Sequence, residues 1–288
     1  MLGKLFKYDF KSVSKVMWTI NIGVILLSIL MSAVFTIDMR YSGSTFAGSS
    51  KLSAILSVIS ILFIVLAFIA IGVASIAVVI LLAYRFYKNC FDNEGYLTFT
   101  LPVTTNAKLI SKILSAFIWM LISLVATLIA FAIFAFFGTA THGFINTEAL
   151  TIVKELFREL WQHMGWNEWL LVGELILIAI VSTLFNIILI FLSITIGSVI
   201  ANKHKILASV GMYFAIHMLV NIFQTVSVFA SNVMISEGLD LYGENISFAE
   251  SASAVHFLLL SQTAVMIVFG VVSYIIMHRM LERKLNLP

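Results

Sequence analysis

The chain has 288 residues, of which 61% are hydrophobic and only 11% charged, and its formal net charge is +3. This is too little polar surface to coat a water-soluble globule of that size, so the composition excludes a soluble protein and indicates one dissolved in a lipid bilayer. The single cysteine, Cys90, excludes an internal disulfide and provides no cysteine cluster for a metal.

Six stretches are continuously apolar over the roughly 20 residues that a helix needs to cross a hydrocarbon core of about 30 Å. They predict an all-α integral membrane protein with one transmembrane domain over residues 1–288. A β-barrel is excluded because its strands would alternate apolar and polar residues. The six predicted spans are 16–37, 54–83, 113–137, 170–200, 206–234 and 255–277.

Lysine and arginine are unevenly distributed between the two sides of this layout. Most of the 17 basic residues fall at the N-terminus, in the second and fourth loops and in the C-terminal tail, whereas acidic residues dominate the other loops. The positive-inside rule therefore predicts that both termini are cytoplasmic. An odd number of spans would break this segregation.

Residues 1–15 form an amphipathic pattern before the first span. Apolar residues recur there at helical spacing, while lysines occupy the other face. The pattern predicts a helix lying in the cytoplasmic interface. The alternative is a disordered basic segment that only fixes the topology.

The loop 84–112, between spans two and three, is unusually apolar for a segment facing water. Gly95 permits a turn, and Pro102 disfavours helix at the residue before it, which predicts a short helix bounded by turns. Thr104 or Thr105 can cap the helix that follows. The short helix would be a docking surface for another protein, unless the loop folds back on its own helix ends. The apolar residues are Phe86, Tyr87, Phe91, Tyr96, Leu97, Phe99 and Leu101.

The loop 138–169, on the predicted outer side, contains an amphipathic run over 147–163. Trp161, Trp166 and Trp169 are typical of the aromatic belt at a membrane interface. We expect an interfacial helix that caps the bundle here rather than a ligand site.

Span five carries His217, Asn221 and Gln224 at positions i, i+4 and i+7, which places three polar groups on one helix face. Polar groups at this depth face protein or a water-filled cavity. With Asn186 of span four, they line a substrate pathway or form interhelical hydrogen bonds, and the sequence leaves both readings open. Glu174, in the first turns of span four, is expected to be structural because a helix N-terminus favours an anion.

The loop also carries a family resemblance. Residues 94–104 read EGYLTFTLPVT and are followed by Leu109, Ile110 and Lys112. This segment resembles the loop motif of ABC-2-type transporter permeases, E-x-G-x-L-x-x-x-L-P-V-[ST] followed by L-[LI]-x-K. The opening residues, MLGKLFKYDFK, also resemble the start of bacterial members.

The resemblance implies six spans, an N-terminal interfacial helix and, in this loop, a coupling helix that fits a groove on a separate ATP-binding subunit. Glu94 would pair with a basic residue of that subunit. The sequence departs from many members at Asp92 and Asn93, where they carry more basic residues. The implied ATPase-coupling residues are Phe91, Asp92, Asn93, Glu94, Gly95 and Tyr96.

By the same resemblance, the chain is a non-catalytic permease subunit of an ABC exporter in the bacterial cytoplasmic membrane. Its cargo is unidentified, with lipids, peptides and antibiotics as the classes that the family moves. We expect no cofactor on this chain, with ATP and Mg²⁺ held by the ATPase subunit, and the sequence contains no G-x-x-x-x-G-K-[ST] phosphate loop. The expected partners are that ATPase, a second copy or a homologous permease, and membrane lipid, but not nucleic acid.

Other classes of membrane protein fit less well. A self-contained secondary transporter or channel would need acids or broken helices near the middle of the membrane, but no predicted span contains proline and Glu174 is the only acid in one. His217 and Asn221 match the H-x-x-x-N of one class of intramembrane protease, whose E-E-x-x-x-R motif is absent. Nothing in particular favours a purely structural membrane anchor.

Overall fold

The computed structural model describes residues 2–42, 51–92, 103–138, 151, 154–155, 158, 165–201, 203–240 and 248–283. Within these residues the chain is helical and contains no strand. Six helices are long and apolar enough to cross a membrane, which confirms the six-span, all-α prediction. They are α1 (Leu2–Ser42), α2 (Lys51–Phe91), α3 (Thr105–Gly138), α4 (Trp166–Ile200), α5 (Lys205–Asp240) and α6 (Phe248–Arg283).

The helices are longer than the predicted spans. The 41 residues of α2 measure about 60 Å at about 1.5 Å per residue, roughly twice the thickness of the hydrocarbon core. The predicted span ended at residue 83, whereas the helix continues to Phe91 because neither glycine nor proline occurs between these positions. The extra turns carry the polar and aromatic end of α2.

A separate interfacial helix over residues 1–15 is not shown. From Leu2 onward these residues continue into the first span as the single helix α1, and no glycine or proline interrupts the chain between Gly3 and Gly23. The predicted amphipathic faces are nevertheless present. Phe6 and Phe10 are half-buried, whereas Lys4 and Lys7 are exposed.

The described helices form two compact units. One comprises residues 8–81 and 118–163, and therefore most of α1 and α2 and the second part of α3. Its core centres on Trp119, which is fully buried, stacks on Phe10 at 4.6 Å between ring centroids and donates its indole N–H to the Phe10 carbonyl at 3.3 Å. The edge of the Trp119 ring also meets Trp18. These contacts fix α1 against α3.

The other unit comprises residues 1–7, 82–117 and 164–288, and we call it the α4–α6 unit. In it α4 packs against both α5 and α6, which also contact each other. Its central buried cluster is Phe185, Leu189 and Val220, against which Ile216 and Phe269 pack. The unit therefore joins the three last spans to the end of α2 and the beginning of α3, both of which lie within the predicted loop 84–112.

Gly197 and Ser209 make the tightest helix contact in this unit. A Cβ atom on Gly197 would overlap the Ser209 backbone at its Cα and nitrogen atoms. The Ser209 hydroxyl also donates to the Ile194 carbonyl at 3.4 Å. Glycine lets the two backbones meet directly, so the connection between α4 and α5 is closely packed.

Most of the predicted outer amphipathic run, 147–163, lies outside the described residues. Within it, Lys154, Glu155 and Arg158 are helical and exposed. Their exposure agrees with the predicted polar face of that run.

Candidate functional site: the loop-facing helix ends and a groove on α5

The loop-facing end of α2 is covered by the chain itself. Phe86 is buried and stacks almost parallel on Phe191 of α4, with 3.9 Å between ring centroids and 4° between planes. Phe91, also buried, meets the Phe86 ring edge-on at 6.2 Å and lies near Tyr87 at 6.4 Å. Phe86 and Phe91 therefore do not form an exposed docking surface, and the expectation that another protein must cover these two rings is wrong.

The helix α3 begins at Thr105, after residues 92–104, which follow this cluster in the sequence. Thr104 caps α3 as predicted, since its hydroxyl accepts the Ala107 N–H at 3.4 Å. Two turns of the helix then bury basic as well as apolar groups, including Lys108 and Lys112. At the exposed first turn, Tyr274 of α6 donates its hydroxyl hydrogen to Asn106 Oδ1 at 3.0 Å. This end of α3 is therefore tied to α6.

Of the predicted coupling residues, only Phe91 and Asp92 are described, and Asp92 is half-buried. Asn93, Glu94, Gly95 and Tyr96 lie outside the described residues. Their roles stay predictions from the motif.

An open groove of about 460 Å³ runs along α5. His217 and Asn221 both line it, as predicted from their spacing, and Thr225 lies one further turn along. Sequence reasoning missed Thr225, although its position four residues after Asn221 puts it on the same helix face. The other described lining residues are apolar: Phe214, Met218, Ile222 and Val226.

The polar groups in the groove are incompletely paired within the described part of the chain. His217 stacks on Tyr213 at 5.4 Å between ring centroids, and its Nδ1 is buried without a hydrogen-bond partner there. Asn221 is exposed. Its backbone carbonyl accepts a hydrogen bond from the Thr225 hydroxyl at 2.8 Å. The Asn221 side chain is therefore accessible from the groove, whereas the His217 Nδ1 is enclosed beside Tyr213.

Gln224 and Asn186 are not brought to this groove among its described lining residues. Gln224 is half-buried. Asn186 donates its side-chain amide to the Ser182 carbonyl of its own helix at 2.8 Å. Of the four predicted pathway residues, the groove therefore brings together His217 and Asn221, with Thr225 beside them, and their role in a pathway stays a prediction.

Elsewhere in the α4–α6 unit, polar side chains pair between helices. Glu174 Oε2 and His256 Nδ1 lie 2.7 Å apart, and both side chains are largely buried. Glu174 was expected to be structural because of the α4 N-terminus, and its observed partner is instead a histidine 82 residues away in sequence. Between α5 and α6, Gln262 donates to the Ser227 hydroxyl at 3.4 Å.

Asn221 differs from these paired groups because its side chain is exposed, on the face of α5 that lines the groove. A side-chain amide directed into hydrocarbon loses its hydrogen bonds to water without replacement. Such residues generally face protein or a water-filled cavity rather than lipid. The groove therefore has the features of a surface that meets water or another protein segment within the membrane.

Comparisons of the chain with protein-family models, curated proteins and solved structures give no match. The resemblance to ABC-2-type permeases therefore depends on the motif at residues 94–112 and the likeness of layout.

Proposed function

We propose that this chain is the membrane permease subunit of an ABC-2-type exporter, which moves its cargo with energy from ATP hydrolysed by a separate subunit. The motif over residues 94–104, followed by Leu109, Ile110 and Lys112, carries the proposal. Two facts support it. Six helices are suitable for crossing a membrane, and the motif connects the long helices α2 and α3.

In this proposal the loop 84–112 faces the cytoplasm, and Glu94 and Tyr96 contact the ATPase subunit. The α5 groove provides the permease part of the substrate pathway. Its apolar lining, with one imidazole, one amide and one hydroxyl, suits an amphipathic cargo better than a metal cation that sheds its water, which would require several oxygen ligands.

The ATPase partnership is tested by purifying the tagged chain from its native host in detergent. We expect a protein with a phosphate-binding loop to co-purify, identified by mass spectrometry, and the complex to hydrolyse ATP in a vanadate-sensitive manner. Glu94→Arg and Tyr96→Ala should each reduce capture of this ATPase by about tenfold or more, because a reversed charge or a lost anchor weakens a central contact.

Glu155→Arg is the matched control for charge reversal, because Glu155 is exposed in the predicted outer loop. It should leave capture unchanged, and all three variants should insert into the membrane in normal amounts. If Glu94→Arg and Tyr96→Ala retain full ATPase capture, the coupling assignment fails. If the wild-type chain captures no such ATPase, a self-contained transporter or channel becomes the better reading.

A further inference from the structure

We infer that two contacts transmit nucleotide-driven movement from the loop 84–112 to the groove: the Phe86–Phe191 ring stack and the Tyr274–Asn106 hydrogen bond. The inference rests on the proposed function, because it concerns how the permease responds to its ATPase. It assigns positioning roles to four residues outside the family motif.

The first contact precedes the motif. Phe86 lies in the penultimate turn of α2 and stacks on Phe191 of α4 with nearly parallel planes. Both rings are buried, at 2% exposure each. Close-packed interiors have low compressibility and transmit strain, so a displacement of the α2 end would be felt directly at Phe191.

The second contact follows the motif. Asn106 is in the first turn of α3, two residues after the Thr104 cap, and accepts the Tyr274 hydroxyl of α6 at 3.0 Å. Unlike the ring stack, this bond is directional and exposed. The two ends of the loop are thus attached to two different helices, α4 before the motif and α6 after it.

Phe191 lies on α4 between two positions at which that helix contacts α5. Six residues further along α4, Gly197 lies against the Ser209 backbone of α5. In the other direction, Leu189 packs with Val220, which is one residue from the groove residue Asn221. A shift of α4 at Phe191 would therefore move α5 at two points, one on each side of the beginning of the groove.

The experiment uses the complex of the chain with its co-purified ATPase, reconstituted in lipid nanodiscs. An environment-sensitive fluorophore is attached at Phe229→Cys, an exposed α5 position beyond the groove, with the buried Cys90 changed to serine. The signal is the fluorescence change on adding ATP and vanadate. The variants are Phe191→Leu, which keeps an apolar side chain without a ring, and Tyr274→Phe, which removes only the hydroxyl.

We expect each variant to shrink the ATP-dependent change by about two- to tenfold, since a stacked pair or a hydrogen bond contributes that factor to an equilibrium. The double variant should nearly abolish the change, while ATPase capture stays complete. Phe257→Leu and Tyr84→Phe are the controls, because both side chains are exposed. These two variants should show the full fluorescence change of the wild type.

A full response in the double variant would overturn the inference, and so would loss of ATPase capture, since the contacts would then shape docking rather than transmit movement. Either result differs from failure of the proposed function, in which the wild-type chain captures no ATPase at all.

Discussion

The loop-facing ends of α2 and α3 and the groove on α5 belong to the same compact unit, yet they differ in which side chains they bury. At the helix ends, rings that the sequence places in an aqueous loop are buried, together with Lys108 and Lys112. On α5, an amide and an imidazole that the sequence places within the membrane line an open groove. In the first region the described rings Phe86 and Phe91 are covered by the chain itself, whereas in the second the Asn221 side chain is exposed.

An apolar loop sequence is therefore not by itself evidence for a partner protein that covers it. Exposed rings on the water side were expected to require a partner, but Phe86 and Phe91 are covered by α4 and by each other. The case for an ATPase partner therefore depends on residues 94–104 and not on the rings that precede them.

The largest expected effect is at the buried helix ends. Phe86→Ala should lower the free energy of unfolding by about 3–5 kcal/mol, because it leaves a cavity beside Phe191. The measurement is unfolding in mixed micelles. Phe257→Ala, at an exposed position, should cost under about 1 kcal/mol. Equal losses in the two variants would mean that the helix ends are no better packed than the lipid-facing surface.

The second-largest expected effect is at the pair Glu174 and His256, whose side chains are hydrogen-bonded to each other. Glu174→Ala should cost about 1–3 kcal/mol, because it leaves the largely buried His256 imidazole without its hydrogen-bond partner. A double-mutant cycle with His256→Ala isolates the pair, and the two losses should not add. Strict additivity would show that the two side chains do not interact in the folded protein.

Gly197→Ala tests the connection between the buried region and α5. The added methyl group would clash with the Ser209 backbone and should cost about 1–3 kcal/mol. Gly211→Ala, where a methyl group meets open space, should be neutral or stabilising by up to about 1 kcal/mol. If both variants unfold like the wild type, the close contact between α4 and α5 is not maintained in the membrane.

The smallest expected effect distinguishes a pathway residue from a packing residue. Asn221→Leu should change the stability of the chain in detergent by less than about 0.5 kcal/mol, because its exposed amide contributes no interhelical bond in the described part of the chain. Gln262→Leu breaks the bond to Ser227 and should cost about 0.6 kcal/mol or more. A larger loss of stability for Asn221→Leu than for Gln262→Leu would favour the interpretation that the polar side chains of α5 form interhelical hydrogen bonds.

Hydropathy predicted the number and approximate position of the spans because a run of about 20 consecutive apolar residues is typical of a transmembrane helix. Helix ends were less predictable, since residues such as Tyr84 to Phe91 are polar or aromatic without breaking a helix. Helical spacing predicted that His217 and Asn221 share a face. It could not predict that Glu174 meets His256, or that Gly197 meets Ser209, because those contacts depend on how separate helices pack.

The burial of Trp119 has a practical consequence for spectroscopy. Its indole is 0% exposed, whereas Trp166 is 78% exposed and Trp169 43%. An aqueous quencher such as iodide should extinguish the emission of Trp166 and Trp169 first and leave a blue-shifted remainder from Trp119 and the neighbouring Trp18, which lies within the first predicted span. That remainder is an intrinsic optical signal for separation of α1 from α3, and it requires no introduced label.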